Sequence, residues 1–224
     1  MSTEVMKREL YQSIAKVAQA LASGNRLQLL EFMAQGERSV DALAAMSGVT
    51  VANASQHLQA LRRAGLVVAR KDGQRVYYRV AGDDVVRLYN GLRDVAESRL
   101  AEVRQLVNEF LGDRGGLEPV QAEELLVRAK KGLVTVLDVR PPEEYAAGHL
   151  PGAINVPMER LEGYLAMLPK KREIVAYCRG PYCLMSFEAV AALRQRGWKA
   201  RRLEEGFPEW KAAGLPVESG NGQP

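Results

Sequence analysis

The chain has 224 residues, is 47% hydrophobic and carries a formal net charge of +4. That length suits two ordinary domains with conventional cores, and that charge alone does not mark a nucleic-acid binder. No apolar run approaches the roughly 20 residues that span a bilayer, and the polar start MSTEVMKREL lacks the apolar run of a secretory signal, so a cytoplasmic, membrane-free protein is expected.

Apolar residues at helical spacing predict helices over 4–22 (Leu10, Ile14, Val17, Leu21) and 25–34, with Gly24 and Gly36 as stops. Ser39 is positioned to cap a short helix over VDALAAM, closed by Gly48, and Thr50 to cap a second over VANASQHLQALRRA, closed by Gly65. Two short helices joined by the turn SGVT read as a helix-turn-helix, whose second helix can enter a DNA major groove. LVVARKDGQRVYYRV then alternates around Asp72-Gly73, a β-hairpin signal.

The hairpin gives the local charge a context. Between Arg62 and Arg79, six basic residues face only Asp72. Ala54, Leu58 and Leu61 form the inward stripe of the second short helix, which leaves Ala52, Ser55, Gln56, Gln59 and Arg63 facing away. Polar side chains there can reach base edges while Arg70, Lys71 and Arg75 on the hairpin meet phosphates. This is a winged helix. A further helix from Asp83 to Leu111, about 40 Å long, carries an apolar stripe (Val85, Tyr89, Leu92, Ala96, Leu100, Val103, Val107, Phe110) that suggests a two-fold partner.

ASQHLQALRRAGLVVARKDGQRVYYRV resembles the recognition helix and wing of the ArsR-type winged-helix repressors, over roughly residues 10–108. The resemblance implies a homodimer that binds double-stranded operator DNA and releases it to an inducer. Candidate DNA contacts are Thr50, Asn53, Ser55, Gln56, Arg63, Arg70, Lys71 and Arg75; His57 is either a contact or a packed, satisfied histidine. The family's thiolate motif would fall in ERSVDALAA, which has no cysteine, and residues 83–111 hold no histidine, so no metal site is expected.

FLGDRGGLEPV breaks the helical pattern and marks the inter-domain connection. The expected division is a DNA-binding and dimerisation domain over 1–110, a linker over 111–117, an α/β domain over 118–218 and a polar, glycine-rich tail over 219–224. In the second half VTVLDVR and EIVAYC read as buried strands, with helices over 120–131, 158–167, 184–196 and 206–213, so a parallel sheet covered on both faces is expected. The fold class is thus multidomain: an N-terminal mainly-α winged helix-turn-helix followed by an α/β domain around a central parallel sheet.

YCRGPYC holds both cysteines of the chain, Cys178 and Cys183. Cys178 falls at the carboxyl end of a strand, where reactive groups gather in such sheets, and a helix begins just beyond. Inward-facing backbone N–H groups and the positive end of that helix would hold a sulfur anion and lower the cysteine pKa. Arg179 either favours the anion, holds an anionic substrate, or faces solvent.

LDVRPPEEYAAGHLPGAINVP, the strand into YCRGPYC and the closing GFPEWKAAGLPV together resemble a single rhodanese domain over roughly residues 117–217. The resemblance implies that Cys178 takes a sulfane sulfur from a donor such as thiosulfate or polysulfide, without a cofactor. Residues 179–183 form its cradle, with Gly180, Tyr182 and Leu184 as backbone donors, and Asp138, Arg140 and His149 match supporting positions. Two departures stand out: Cys183 fills the final loop position, and Pro181 removes an amide donor. Leu184 stands where a phosphatase-like loop would want arginine, so phosphate chemistry is not expected. Cys183 is placed to attack a persulfide on Cys178, leaving a disulfide or a bridging polysulfide.

Three readings follow. One is a dimeric repressor that senses reactive sulfur, the second a working sulfurtransferase tethered to a DNA-binding domain, and the third an arsenic-responsive regulator.

Overall fold

The computed structural model describes residues 2–111 and 119–220, which fall into two compact units, Met1–Tyr89 and Asn90–Pro224. The boundary lies inside a helix rather than at the glycine-rich connection. Most of the expected linker, and the end of the tail, lie outside the described residues.

The first unit contains α1 (Thr3–Leu21), α2 (Gly24–Ala34), β1 (Arg38–Ser39), α3 (Val40–Ser47), α4 (Val51–Arg63), β2 (Val67–Asp72) and β3 (Arg75–Val80), and α5 (Asp83–Arg99) begins in it. The caps act locally as their chemistry dictates. Ser39 Oγ accepts from Ala42 N–H at 3.2 Å and Thr50 Oγ1 from Asn53 N–H at 3.3 Å, each satisfying an orphan donor of the first turn. Gly48, at φ 66°, closes α3 in the left-handed region that favours glycine. The three-stranded sheet runs β1-β3-β2, and β2 and β3 pair from Val67↔Val80 to Asp72↔Arg75, so the two-residue turn is Gly73-Gln74, one position later than Asp72-Gly73. Gly24 does not stop a helix; it is the first residue of α2.

Leu29, Leu30, Leu43, Leu58, Leu61 and Tyr78 are buried in this unit's core. Leu10 and Ile14, whose helical spacing marked α1, are 59% and 56% exposed, beside exposed Met6 and Tyr11. A run of large apolar side chains on one exposed helix is a face in search of a partner.

The expected single helix from Asp83 to Leu111 is two, α5 and α6 (Ala101–Leu111), interrupted at Leu100. No residue of α6 is buried. The second unit continues with α7 (Ala122–Lys130), β4 (Val134–Asp138), α8 (Pro142–Ala147), β5 (Ile154–Asn155), α9 (Leu161–Tyr164), β6 (Glu173–Tyr177), α10 (Leu184–Gln195), β7 (Ala200–Arg202) and α11 (Phe207–Ala212). Residues 158–167 are not one helix, because 3-10 turns flank the four residues of α9.

The sheet runs β5-β4-β6-β7, with every neighbouring pair parallel. Successive side chains of a strand point to opposite faces. Leu137, Ile174 and Ala176 therefore pack on one side with Val190 and Leu193 of α10, while Val136, Val175 and Tyr177 pack on the other with Leu125 of α7 and Trp210 of α11. Burial on both faces explains the unbroken apolar runs of β4 and β6.

Candidate functional site

Cys178 follows directly on β6 and is 1% exposed; Cys183 is the N-cap residue of α10. The two are joined by a disulfide, with Cα atoms 6.2 Å apart, inside the span a direct bridge allows. The loop is drawn tight between them, since Cys183 N–H donates to Gly180 C=O at 3.1 Å. Ser186 Oγ donates to Cys183 C=O at 3.1 Å. Leu184 is the first helical residue of α10, so its N–H is one of those the helix leaves without an internal partner.

One end of the loop is clamped by the segment before α11. Phe207 N–H donates to Cys178 C=O at 3.0 Å. A Cβ at Gly206 would collide with the backbone nitrogen of Gly180, so glycine is required there by close approach alone. Glu209, 9% exposed, accepts from Gly206 N–H at 3.1 Å and from Arg93 at 2.9 Å. Tyr182 donates its hydroxyl to Glu97 at 2.8 Å. Burial, and then this bond to a carboxylate, raise the Tyr182 pKa, so the phenol keeps its proton.

Arg179 is held in an ion pair. Its guanidinium meets the buried carboxylate of Glu144 at 2.8 to 3.1 Å, a forked pair that ties the loop to α8. Glu144 carries that charge at 1% exposure.

Asp138, Arg140 and His149 lie beneath the loop's base. Asp138 and Arg140 are both fully buried and paired, with Nη2 to Oδ2 at 2.6 Å and Nε to Oδ1 at 3.0 Å. Arg140 also donates to Gly148 C=O at 2.7 Å and lies 4.3 Å over the ring of Phe207. Tyr177, at the end of β6, donates to Asp138 and accepts from Leu150 N–H at 3.1 Å. Burial alone would depress the pKa of Arg140, but Asp138 outweighs it and the net shift is upward. His149 donates from Nδ1 to Tyr145 C=O at 2.9 Å and stacks on the Tyr145 ring. The network joins β4, β6, the turn at 148–150 and Phe207, which in turn holds Cys178.

In the first unit, Thr50, Asn53, Gln56 and Arg63 of the second short helix and its cap are exposed, with Ser55 half-buried, as are Lys71 and Arg75 at the hairpin tip. Ala54, Leu58 and Leu61 are buried. His57 is half-buried and its Nε2 lies 3.3 Å from the Asn25 amide. Arg70 is engaged by Glu37 at 2.7 Å and Asp72 at 3.0 Å and lies over the Tyr77 ring. Its bond and charge hold the Glu37 carboxyl below the usual range. Arg70 thus ties β2 to Glu37, the residue before β1.

Sequence reading missed Glu144, Glu209, Arg93 and Glu97. Arg93 and Glu97 lie four apart on α5, a spacing that carries no sign of partners more than 80 positions away. Among the described residues, no three His, Cys, Asp or Glu side chains gather where a metal ion could be held, and no helix is long and apolar enough to cross a membrane.

Comparison with known proteins places both halves. The family profile described as "Bacterial regulatory protein, arsR family" matches residues 23–68, and that described as "Rhodanese-like domain" matches residues 121–213. The chain is 48% identical over 214 residues to the HTH-type transcriptional regulator Rv0324 of Mycobacterium tuberculosis, covering 96% of this chain and 94% of that protein. A sulfurtransferase of Allochromatium vinosum is 34% identical over 90 residues, 40% of this chain and 82% of that one. Among solved structures, the homodimeric winged helix-turn-helix DNA-binding domain Mb0332 from Mycobacterium bovis is 46% identical, covers 46% of this chain and 93% of its own, and superposes with a TM-score of 0.42.

Proposed function

Because this chain belongs to the HTH-type transcriptional regulators that join an arsR-family DNA-binding module to a rhodanese-like domain, we propose that it is a cytoplasmic, homodimeric repressor that senses reactive sulfur through Cys178 and Cys183. The observation that carries this reading is the cysteine pair itself, bridged across one turn at the carboxyl end of a central strand.

The chemistry balances without a cofactor. The Cys178 thiolate takes the sulfane sulfur of thiosulfate or a polysulfide, releasing the remainder of the donor, sulfite in the first case. The Cys183 thiolate then attacks the Cys178 sulfur and expels hydrosulfide. The two cysteines lose two electrons, the transferred sulfur gains them, and the two thiol protons go to solvent and sulfide. In this reading the N–H groups of Gly180 and Tyr182 in the loop, and of Leu184 at the start of α10, favour the thiolate and persulfide anions.

DNA binding is the readout. Thr50, Asn53, Ser55, Gln56, His57 and Arg63 face the groove, and Lys71 and Arg75 meet flanking phosphates. The exposed apolar face of α1 around Leu10 and Ile14 supports the dimer that two half-sites require.

A second reading, a working sulfurtransferase, draws support from the likeness to the Allochromatium vinosum protein. The two differ at Cys183. A persulfide that is discharged by its neighbour cannot wait for an external acceptor, so ring closure favours switching over turnover.

Intact-mass analysis after polysulfide treatment, run beside a mobility-shift titration, tests the proposal. The treated protein should lose two mass units or gain sulfur and change its DNA affinity, and Cys178→Ser should do neither. Unchanged affinity with both cysteines fully modified would overturn the sensor, and sustained thiosulfate:cyanide turnover abolished in Cys178→Ser would install the enzyme in its place.

A further inference from the structure

The part of α5 from Asn90 onward packs within the second compact unit, and two of its side chains hold the cysteine loop. Tyr182, the residue before Cys183, donates to Glu97 at 2.8 Å. Arg93, four positions earlier and so on the same helix face, lies 5.8 Å over the Tyr182 ring and donates to Glu209 at 2.9 Å. Glu209 accepts from Gly206, whose Cα rests against the Gly180 backbone. One short helical face thus holds the loop directly at Tyr182 and, through Glu209, at Gly180.

Resting on the sulfur-sensing reading above, we infer that Arg93 and Glu97 form a latch through which α5 registers whether the Cys178–Cys183 ring is closed, linking the state of the loop to DNA affinity. Cys178 cannot shift far, being fixed to the end of β6 and by Phe207 N–H. Closing the ring therefore fixes Cys183 and, with it, Tyr182. Opening the ring leaves Arg179 tied to Glu144 and Gly180 against Gly206 but releases Cys183, so residues 181–183 can pivot and Tyr182 is the side chain that leaves its partner. The contacts are shielded enough to matter: Arg93 is 15% and Glu209 9% exposed in their side chains. The helix they sit on is unbroken from Asp83 to Arg99, and its first turn places Val85 in the core of the winged-helix unit.

Coupling of this kind is reciprocal. If ring closure tightens the latch, the latch must favour ring closure by the same factor.

The test uses the full chain, as wild type, Tyr182→Phe and Arg93→Gln. Two quantities are read: the affinity of the reduced and the disulfide form for a duplex selected by the protein from random-sequence DNA, and the equilibrium constant for reducing the ring in a dithiol buffer. In the wild type the two forms should differ at least about fivefold in DNA affinity. In both variants the ratio should fall below twofold, and the ring should become easier to reduce by a matching factor. A purely structural role would lower thermal stability and leave the ratio and the reduction equilibrium unchanged, which overturns the latch while sensing stands. A wild-type ratio of one overturns the sensor itself and the latch with it.

Discussion

Replacing Arg140 by Met should weaken the rhodanese-like unit more than any surface change in the chain. The substitution keeps the volume of the side chain's stem but strips Asp138 of its bidentate partner. The carboxylate, fully buried, is left with the Tyr177 hydroxyl and the residue 140 main-chain N–H, the latter at 2.9 Å. Gly148 C=O loses its donor and Phe207 the cation over its ring. Removing one partner of a buried pair costs about 3–5 kcal/mol, and with a urea m-value of about 1.5 kcal/mol/M the midpoint should fall by about 2–3 M. The assay is selective, because both tryptophans, Trp198 and Trp210, are buried in this unit, so their fluorescence follows its unfolding alone. Asp138→Asn in the Arg140→Met background should recover part of the loss, since it removes the orphaned charge. A midpoint shift below about 0.5 M in the single variant, equivalent to under about 1 kcal/mol at such an m-value, would refute the claim that this pair holds the base of the loop.

Gly206→Ala should force α11 off Gly180, cost about 1–3 kcal/mol and speed alkylation of Cys178 in the reduced protein; an unchanged alkylation rate would show that the clamp does not shield the sulfur. Burial, with Glu209, Glu123 and Glu204 nearby, raises the pKa of Glu205, so its ionised form opposes folding. The folded state then binds the extra proton, and stability falls as pH rises from the unfolded value near 4.3 through the folded one. Glu205→Gln should therefore raise the thermal midpoint at pH 7, with the gain vanishing below about pH 4. Lys71→Ala and Arg75→Ala should each reduce the salt slope of DNA binding by about 1, whereas Arg70→Ala, already engaged by Glu37 and Asp72, should change the slope less and loosen the wing.

What the sequence made legible follows from how local each signal is. Ser39, Thr50 and Gly48 act within their own turn, and their caps stand where their chemistry puts them. β4 and β6 were readable because strands buried on both faces have no polar alternation to hide them. The short edge strand β5, with two residues, and β7, with three, offer no periodicity to read. The break at Leu100 interrupts a stripe whose spacing never falters. The exposure of Leu10 and Ile14 was illegible for a related reason, since an apolar stripe left exposed has the same spacing as one made for the core. At the cysteine loop, chain order placed Cys178 and Cys183, but the neighbours that hold Arg179, Tyr182 and Gly180 come from 35, 85 and 26 positions away in Glu144, Glu97 and Gly206. No spacing rule reaches that far.

The flanking of β6 by β4 and β7 makes the two halves of the cysteine ring unequal. One sulfur is mounted at the end of a strand stitched along both edges, the other on the N-cap residue where the loop runs into α10. Whatever motion follows the making or breaking of the ring must be taken up almost wholly on the Cys183 side. Amide exchange should accordingly stay slow through Ile174–Tyr177 in either oxidation state and differ between them from Gly180 into the first turn of α10, which gives the protein a fixed anvil and a single moving jaw.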